Sequence, residues 1–160
     1  MQLNRIGVSG HQDIPSTGIR HIEDRIAGIL RAFEGEVLGV TCLAKGADQL
    51  FGRLVLKHGG RLHVVIPSRN YETTFVTFQD RELYSRLLAA ASVVDVLDFP
   101  VSSEDAFLAA GKRVVELSET LVAVWDGLPS KGKGGTADIV ELARHVGRRI
   151  EVVWPAGLKR

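Results

Sequence analysis

The fold is decided by a stretch near the end of the chain, which begins Leu121-Val122-Ala123-Val124-Trp125-Asp126-Gly127 and closes Gly134-Gly135-Thr136-Ala137-Asp138-Ile139. The apolar run that ends in Trp-Asp-Gly predicts a strand, and Gly-Gly-Thr predicts the start of a helix after a loop. The first backbone N–H groups of a helix have no partner within it and carry the positive end of its dipole. A strand tip, a glycine turn and a helix N-terminus together are typical of a place where a phosphate or a sugar binds.

Apolar runs alternate with helical patterns along the rest of the chain. Strands of this kind, apolar on both faces and separated by helices, indicate a mainly parallel sheet that is covered on both sides. We therefore predict one α/β domain over residues 1–160, with a three-layer, doubly wound, Rossmann-like architecture. The predicted strands lie at 6–8, 37–43, 62–66, 93–97, 121–125 and 149–154, and the predicted helices at 14–33, 50–58, 75–88, 106–117 and 139–146.

The composition excludes several classes of protein. Hydrophobic residues make up 45% of the 160-residue chain and charged residues 24%, as is ordinary for a soluble globular protein. The 20 basic and 19 acidic residues leave a formal net charge of +1, without the basic excess that a dedicated nucleic-acid binder carries. Cys42 is the only cysteine, so neither an intrachain disulfide nor a cysteine-rich zinc site can form.

We expect no metal, no cofactor and no membrane partner. The histidines, the cysteine and the carboxylates do not show the spacing of metal ligands. The chain begins almost directly with a strand pattern rather than with a basic and apolar leader, and no apolar run approaches the roughly 18 residues of a membrane span. A cytoplasmic protein is the expectation.

The distinctive loops all follow predicted strands. Ligands of parallel sheets bind at the carboxyl ends of the strands, near a switch in strand order, so we expect these loops to meet in one site. Glycines there would let a ligand approach the backbone, and the loop 128–133 is the best candidate for a mobile lid. The candidate ligand-binding residues are Ser9, Gly10 and His11 after the first strand, Lys45, Gly46, Ala47 and Asp48 after the second, Pro67 after the third, and Trp125, Asp126, Gly127, Gly134, Gly135, Thr136 and Asp138 after the fifth.

Several of these candidates also have a structural interpretation. Thr136 either adds a hydroxyl donor to an anion site or caps the helix. His11 donates to a phosphate or caps its loop, and Trp125 stacks on a base or packs against the sheet edge. Asp138 would repel a phosphate and suits ribose hydroxyls better, unless it only complements the helix dipole. The residues alone leave these alternatives open.

Three segments resemble the SLOG superfamily: Gly7-Val8-Ser9-Gly10-His11, Ala44-Lys45-Gly46-Ala47-Asp48, and the stretch from Ser118 to Asp138. These Rossmann-like domains are related to the LOG-type (lysine-decarboxylase-like) phosphoribohydrolases and to the DNA-processing protein A fold. The similarity runs along essentially the whole chain, and the segment from Trp-Asp-Gly to Gly-Gly-Thr is its most specific part. It implies a nucleotide-type ligand, such as a nucleoside phosphate or an ADP-ribose-like molecule, and a homodimer or higher homo-oligomer.

Two positions depart from the LOG-type pattern. Those enzymes pair an arginine on the preceding helix with a glutamate three residues after the threonine of their Gly-Thr motif, where this chain has Ile139. No Arg-Lys pair stands at the matching place before Ser118, and Lys112-Arg113 is the nearest. Our first hypothesis is therefore a sensor or carrier domain that binds a nucleotide-derived ligand. The alternative is an N-glycosidic hydrolase or transferase acting on nucleoside monophosphates, in which Asp138, Asp126 or Glu141 would be the catalytic carboxylate. Single-stranded DNA binding, as in DNA-processing protein A, is the third and least favoured hypothesis.

Overall fold

The computed structural model describes residues 2–160, which form a six-stranded sheet with helices on both faces. No helix in this part of the chain is long and apolar enough to cross a membrane. The strands are β1 (Leu3–Gly10), β2 (Glu36–Thr41), β3 (Arg61–Ile66), β4 (Val93–Val96), β5 (Thr120–Val124) and β6 (Arg149–Val153). The helices are α1 (Ile19–Arg31), α2 (Ala47–Lys57), α3 (Phe78–Ala89), α4 (Glu104–Leu117) and α5 (Thr136–His145), and 3-10 turns occupy Ser16–Gly18 and Tyr71–Thr74.

The strand order is β4-β3-β2-β1-β5-β6, and every neighbouring pair runs parallel. The chain moves outward from β1 to β4 and then returns to the other side of β1 for β5 and β6. The order therefore reverses between β1 and β5, and a crevice is expected outside the carboxyl ends of these two strands. The predicted doubly wound α/β fold is confirmed, and within residues 2–160 the sheet is wholly rather than mainly parallel.

The helices form two layers. Helices α1, α2 and α3 lie on one side of the sheet, and α4 and α5 lie on the other. Ile22, Ile26 and Leu30 are buried at four-residue spacing, which places them on one stripe of α1. In the opposite layer the side chain of Ile139 occupies the space beside Gly111, where an added Cβ would overlap it. Close packing of this kind brings the loops between strands and helices to one edge of the sheet.

The first and last helices differ from their predicted bounds. The sequence predicts a helix that starts at residues 14–16, but Ser16–Gly18 form a 3-10 turn and α1 begins at Ile19, with Gly18 as its N-cap. The predicted apolar stripe of the last helix includes Val146, yet α5 ends at His145 and Val146 is 43% exposed. Gly147, with a φ of +77°, turns the chain toward β6 at this point.

Strand β2 ends two residues before its predicted boundary, because Leu43 has a φ of +56°, a left-handed conformation that no strand can contain. Two side chains hold the resulting loop. The Thr41 hydroxyl accepts a hydrogen bond from the Leu43 N–H at 3.0 Å, and the Asp48 carboxyl accepts one from the Ala44 N–H at 3.3 Å. Burial raises the pKa of Asp48 to about 7, against the lowering effect of the backbone N–H groups of Ala44 and Cys42.

Strand β4 forms at the predicted position but stays uncovered. Val93, Val94 and Val96 are exposed by 43%, 44% and 54%. Helix α3 makes its main contacts with α2 rather than with β4, and the outer edge of β4 has no neighbouring strand among residues 2–160. The sheet therefore ends in an apolar, unpaired edge.

Replacing Gly46 with alanine should destabilise the protein more than the same change at Gly59. Both glycines have a φ of +81°, so alanine strains the backbone at either position. A Cβ at Gly46 would also overlap the carbonyl oxygen of Gln12, whereas nothing lies within 4 Å of one at Gly59. We expect denaturant titration to show losses in unfolding free energy of about 3 kcal/mol for Gly46→Ala and about 1 kcal/mol for Gly59→Ala. Equal losses in unfolding free energy for the two variants would contradict the close contact between Gly46 and the loop after β1 that contains Gln12.

The buried carboxyl of Asp48 should make stability depend on pH. The folded protein keeps this proton up to about pH 7, whereas an unperturbed aspartate loses it near 3.8. Because the folded state binds more protons in this interval, the free energy of unfolding falls as the pH rises from about 4 to about 7. We expect Asp48→Asn to remove this fall, which is on the order of 2 to 4 kcal/mol.

Urea titrations of the wild type and of Asp48→Asn at several pH values would measure this effect. Their difference cancels the contributions of other groups, such as the neutral His11. A difference between the two proteins that stays constant from pH 4 to pH 7 would mean that Asp48 ionises normally in the folded state.

Candidate functional site

A cavity of about 580 Å³ lies at the carboxyl edge of the sheet, where the strand order reverses. Its volume is within the range of about 300 to 1,000 Å³ that is usual for small-molecule sites. Its walls come from the loops that follow β1, β2, β3 and β5, from α4, and from the end of the chain. The predicted site residues that line it are Ser9, Gly10, His11, Lys45, Asp48, Pro67, Gly134, Gly135 and Thr136. The other predicted residues do not line it: Gly46, Ala47, Trp125, Asp126, Gly127, Asp138 and Glu141.

The start of α5 is the part of the site that suits an anion best. Gly135, Thr136 and Ala137 line the cavity, and they belong to the first turn, where backbone N–H groups have no acceptor within the helix. Gly135 is the N-cap, so Thr136 is the first helical residue rather than the cap. Lys131 and Lys133, in the preceding loop, also line the cavity. The helix dipole and Lys131 favour an anion at this wall, whereas Lys133 is paired with Asp105 at 3.6 Å and Glu104 also lines the cavity.

Asp138 lies in the same helical turn but is directed into its own loop. Its carboxylate accepts a hydrogen bond from the Gly134 N–H at 3.2 Å, and its own N–H donates to the Ser130 hydroxyl at 3.3 Å. These two contacts fix the shape of the loop between β5 and α5. In this arrangement Asp138 shapes the anion-binding turn and does not face the cavity.

The carboxylate of Asp126 is a junction between three segments. It accepts hydrogen bonds from the Leu128 N–H at 3.0 Å and from Arg160 Nε at 2.7 Å, and it lies 3.2 Å from Nε2 of His11. Burial of this group raises its pKa, but the hydrogen bonds from Leu128 and Arg160 and the charge of Arg160 outweigh burial, so the pKa is lowered overall. Asp126 is therefore an ionised structural group whose acceptors are already used.

The ring of His11 lies between Asp126 and Arg160. Its Nδ1 is 3.4 Å from the Arg160 guanidinium. Its Nε2 accepts a hydrogen bond from the Asp126 N–H at 3.2 Å and also lies 3.2 Å from the Asp126 carboxylate. Burial and the charge of Arg160 lower the pKa of His11, while Asp126 acts in the opposite direction. His11 is therefore neutral at pH 7 and supports Asp126.

Each tryptophan fastens one loop of the site. Trp125 donates from Nε1 to the Leu128 carbonyl at 2.8 Å, and Arg144 lies over its ring at 6.0 Å. Trp154 donates from Nε1 to the Leu158 carbonyl at 2.9 Å, and its ring meets His11 edge-on with centroids 5.2 Å apart. The geometry gives Trp125 the structural role of pinning the loop after β5, outside the cavity lining.

The glycine after β1 serves packing between elements. An added Cβ at Gly10 would overlap the Cβ atoms of Ala47 and Val124, so this glycine lets β1 end between α2 and β5. The Ala47 N–H donates to the His11 carbonyl at 3.1 Å, and the His11 N–H donates to the Val124 carbonyl at 3.1 Å. These contacts account for Gly10 without a ligand, even though it also lines the cavity.

The carboxylates that line the cavity differ from the catalytic candidates. Asp48, Asp80 and Glu104 belong to the lining. Glu141, by contrast, lies on an exposed face of α5, where its carboxylate is 4.0 Å from Arg144. Within residues 2–160, no three His, Cys, Asp or Glu side chains come together as metal ligands would.

Sequence reasoning missed the segment before α3, with Tyr71, Phe75 and Val76, and two further parts of the lining. One is an apolar wall on α4, in which Phe107, Ala110, Gly111 and Val114 follow helical spacing. That spacing is visible in the sequence, but it is equally typical of a helix that only packs on the sheet. The other is Arg160, which no motif or periodicity marks because the chain reaches the site through an irregular tail.

No protein-family model matches the chain, and no curated protein sequence matches it. Several solved structures are similar. DNA processing protein A from Streptococcus pneumoniae aligns with a TM-score of 0.71 at 20% identity, covering 98% of this chain and 52% of its own. DNA processing protein A from Helicobacter pylori aligns with a TM-score of 0.67 at 16% identity, covering 93% and 64%. The structural genomics target TM1055 gives 0.58 at 15% identity, covering 92% and 72%.

At these identities the likeness establishes the fold alone. The chain spans between about half and two thirds of the length of the two DNA processing proteins. The fold implied by the resemblance to the SLOG superfamily is confirmed: the chain is a Rossmann-like domain with the architecture that it shares with the DNA processing protein A structures.

Proposed function

We propose that the protein binds a nucleotide-derived ligand, such as a nucleoside phosphate or an ADP-ribose-like molecule, as a sensor or carrier domain. The observation that carries this proposal is the cavity at the reversal of strand order, where a helix N-terminus and two lysines stand beside an apolar wall. A phosphate suits the helix N-terminus and the lysines, and a nucleobase suits the apolar wall. Nucleotides combine both groups in one molecule, and α/β sheets bind them at this position.

The two parts of the ligand would occupy different walls. The phosphate would lie against the N–H groups of Gly135, Thr136 and Ala137, near Lys131 and Lys133. The base would lie in the apolar part of the cavity, which continues from α4 to the loop before α3. That part is lined by Val8, Tyr71, Phe75, Val76, Phe107, Val114 and Leu128.

Binding without catalysis fits the carboxylates better than hydrolysis does. Asp126 and Asp138 already accept hydrogen bonds from their own loops, and Glu141 is exposed on α5 away from the lining. A glycosidase needs two carboxyl groups that flank the bond being cleaved, and the carboxyl groups that do line the cavity, Asp48, Asp80 and Glu104, are not the predicted catalytic residues. The N-glycosidic hydrolase or transferase therefore remains the second candidate, and release of free base from nucleoside monophosphates would be its sign.

Calorimetric titration and thermal shift with AMP, ADP, ADP-ribose and adenosine would test the proposal. We expect the phosphorylated ligands to bind saturably and to raise the melting temperature, since a ligand that binds only the folded state stabilises it. We expect the double variant Lys131→Gln/Lys133→Gln to bind ADP about 3- to 10-fold more weakly, because it loses two charges beside the phosphate. Adenosine should bind equally to both proteins.

The matched control is Lys57→Gln/Lys112→Gln, which removes the same charge from residues that do not line the cavity. This variant should keep the wild-type affinity for ADP. The Helicobacter pylori protein of this fold binds single-stranded DNA, so a deoxythymidine oligonucleotide completes the panel. Salt-sensitive binding of the oligonucleotide, together with no binding of any mononucleotide, would favour the DNA hypothesis over ours.

We further propose that the protein forms a homodimer through the exposed edge of β4. Val93, Val94 and Val96 present apolar surface there, and an unpaired strand edge can join a second copy through backbone hydrogen bonds. Light scattering after size exclusion should give the mass of a dimer for the wild type. Val94→Lys/Val96→Lys should give a monomer that unfolds cooperatively, and the exposed control Val146→Lys should stay dimeric. A monomeric wild type would refute this proposal.

A further inference from the structure

The chain after β6 folds back over the carboxyl edge of the sheet. Trp154 Nε1 donates a hydrogen bond to the Leu158 carbonyl at 2.9 Å, and the Leu158 N–H donates to the Pro155 carbonyl at 3.2 Å. The Leu158 side chain packs beside Gly18, where an added Cβ would overlap it. Residues 155–160, called the tail below, are thus fastened near the start of α1. They deliver Arg160 to the cavity that the strands and helices form.

The guanidinium of Arg160 is held from one side only. Its Nε donates to Asp126 at 2.7 Å, and its Nη1 faces Nδ1 of His11 at 3.4 Å. A guanidinium has five N–H donors, so these contacts use two of them. The remaining donors belong to Nη1 and Nη2 of a side chain that lines the cavity and is 27% exposed.

An arginine fixed in this way is suited to an oxyanion. Because Asp126 holds Nε, the guanidinium loses little rotational freedom when an anion binds. The planar guanidinium can donate to two oxygens of a phosphate at once, which the ammonium group of a lysine cannot do with the same geometry. The carboxylate of Asp126 is almost completely buried, with 5% of its side chain exposed; it offsets part of the charge of Arg160 but bonds to Nε, so the Nη2 donors stay available to an anion.

We propose that Arg160 is the residue by which the site recognises an anionic group of its ligand, and that a bound ligand thereby further stabilises the tail. The inference rests on the proposed function, because the anion meant is a phosphate of the nucleotide. His11 and Asp126 are positioning residues: they hold Arg160 beside the cavity. The tail is then part of the binding site.

Calorimetric titration of Arg160→Gln with ADP and with adenosine tests the recognition. We expect the affinity for ADP to fall by about 10-fold or more, and the affinity for adenosine, which lacks phosphate, to stay unchanged. Arg160→Lys keeps the charge but not the fork, so it should recover only part of the loss. The control is Lys159→Gln, which removes a neighbouring charge that does not line the cavity and should bind ADP like the wild type.

Hydrogen exchange of the tail amides gives an independent reading. ADP should slow their exchange in the wild type and in Lys159→Gln, but not in Arg160→Gln. Arg160→Gln with wild-type affinity for ADP, or a tail whose exchange is indifferent to ADP, would overturn the inference. A melting temperature measured without ligand shows whether each variant is folded.

Inorganic pyrophosphate separates this inference from the proposed function. If the wild type binds pyrophosphate but no nucleotide, and Arg160→Gln does not bind pyrophosphate, the nucleotide proposal fails while the role of Arg160 stands. If the wild type binds neither pyrophosphate nor ADP, both proposals are wrong. If ADP binds equally to the wild type and to Arg160→Gln, only the role of Arg160 is wrong.

Discussion

The buried carboxylate of Asp126 is the interaction on which the geometry of the site depends. It lies just beyond β5 and bonds to the loop after β1 through His11, to its own loop through Leu128, and to the tail through Arg160. A single ionised group thereby links three segments that are far apart in sequence. Removing it would leave Arg160 and the Leu128 N–H without this acceptor, so the tail and the loop after β5 would lose their shared contact. Its ionised state, favoured by those same donors, is therefore a condition for the cavity to keep its shape.

The fold could be predicted because its determinants are local and repetitive. The apolar runs at β1, β2, β3 and β5 are buried on both sides, and such runs separated by helices leave few alternatives to a parallel sheet. The position of the site followed from the fold, since loops after parallel strands meet at one edge. The bounds of elements were less predictable. The left-handed backbone at Leu43 is held by side chains of its own loop, and the exposed face of β4 follows from the packing of α3 on α2; periodicity reports neither.

The individual side chains of the site were harder to predict for the same reason. A sequence shows that Asp126 and Asp138 follow a strand and start a helix, but it does not show which way a carboxylate turns. In the structure Asp138 turns to the Gly134 N–H and Asp126 to the tail, and neither lines the cavity. Arg160 lies in an irregular segment after β6, where no hydrophobic periodicity indicates its position. The glycines were ambiguous as well. Gly10 is required by close packing between elements, but a glycine that lets a ligand approach the backbone would look the same in the sequence.

The departure at Ile139 has a physical reason in the packing of α4 against α5. Ile139 is 1% exposed, and its side chain fills the space that Gly111 leaves open. A glutamate at this position would bring a charge into the contact between two helices, without a partner to offset its desolvation. The position that bears the catalytic acid in the LOG-type enzymes is here used to join α4 to the sheet. Ile139 also lines the cavity, so its side chain adds to the apolar wall against which the proposed nucleobase would lie.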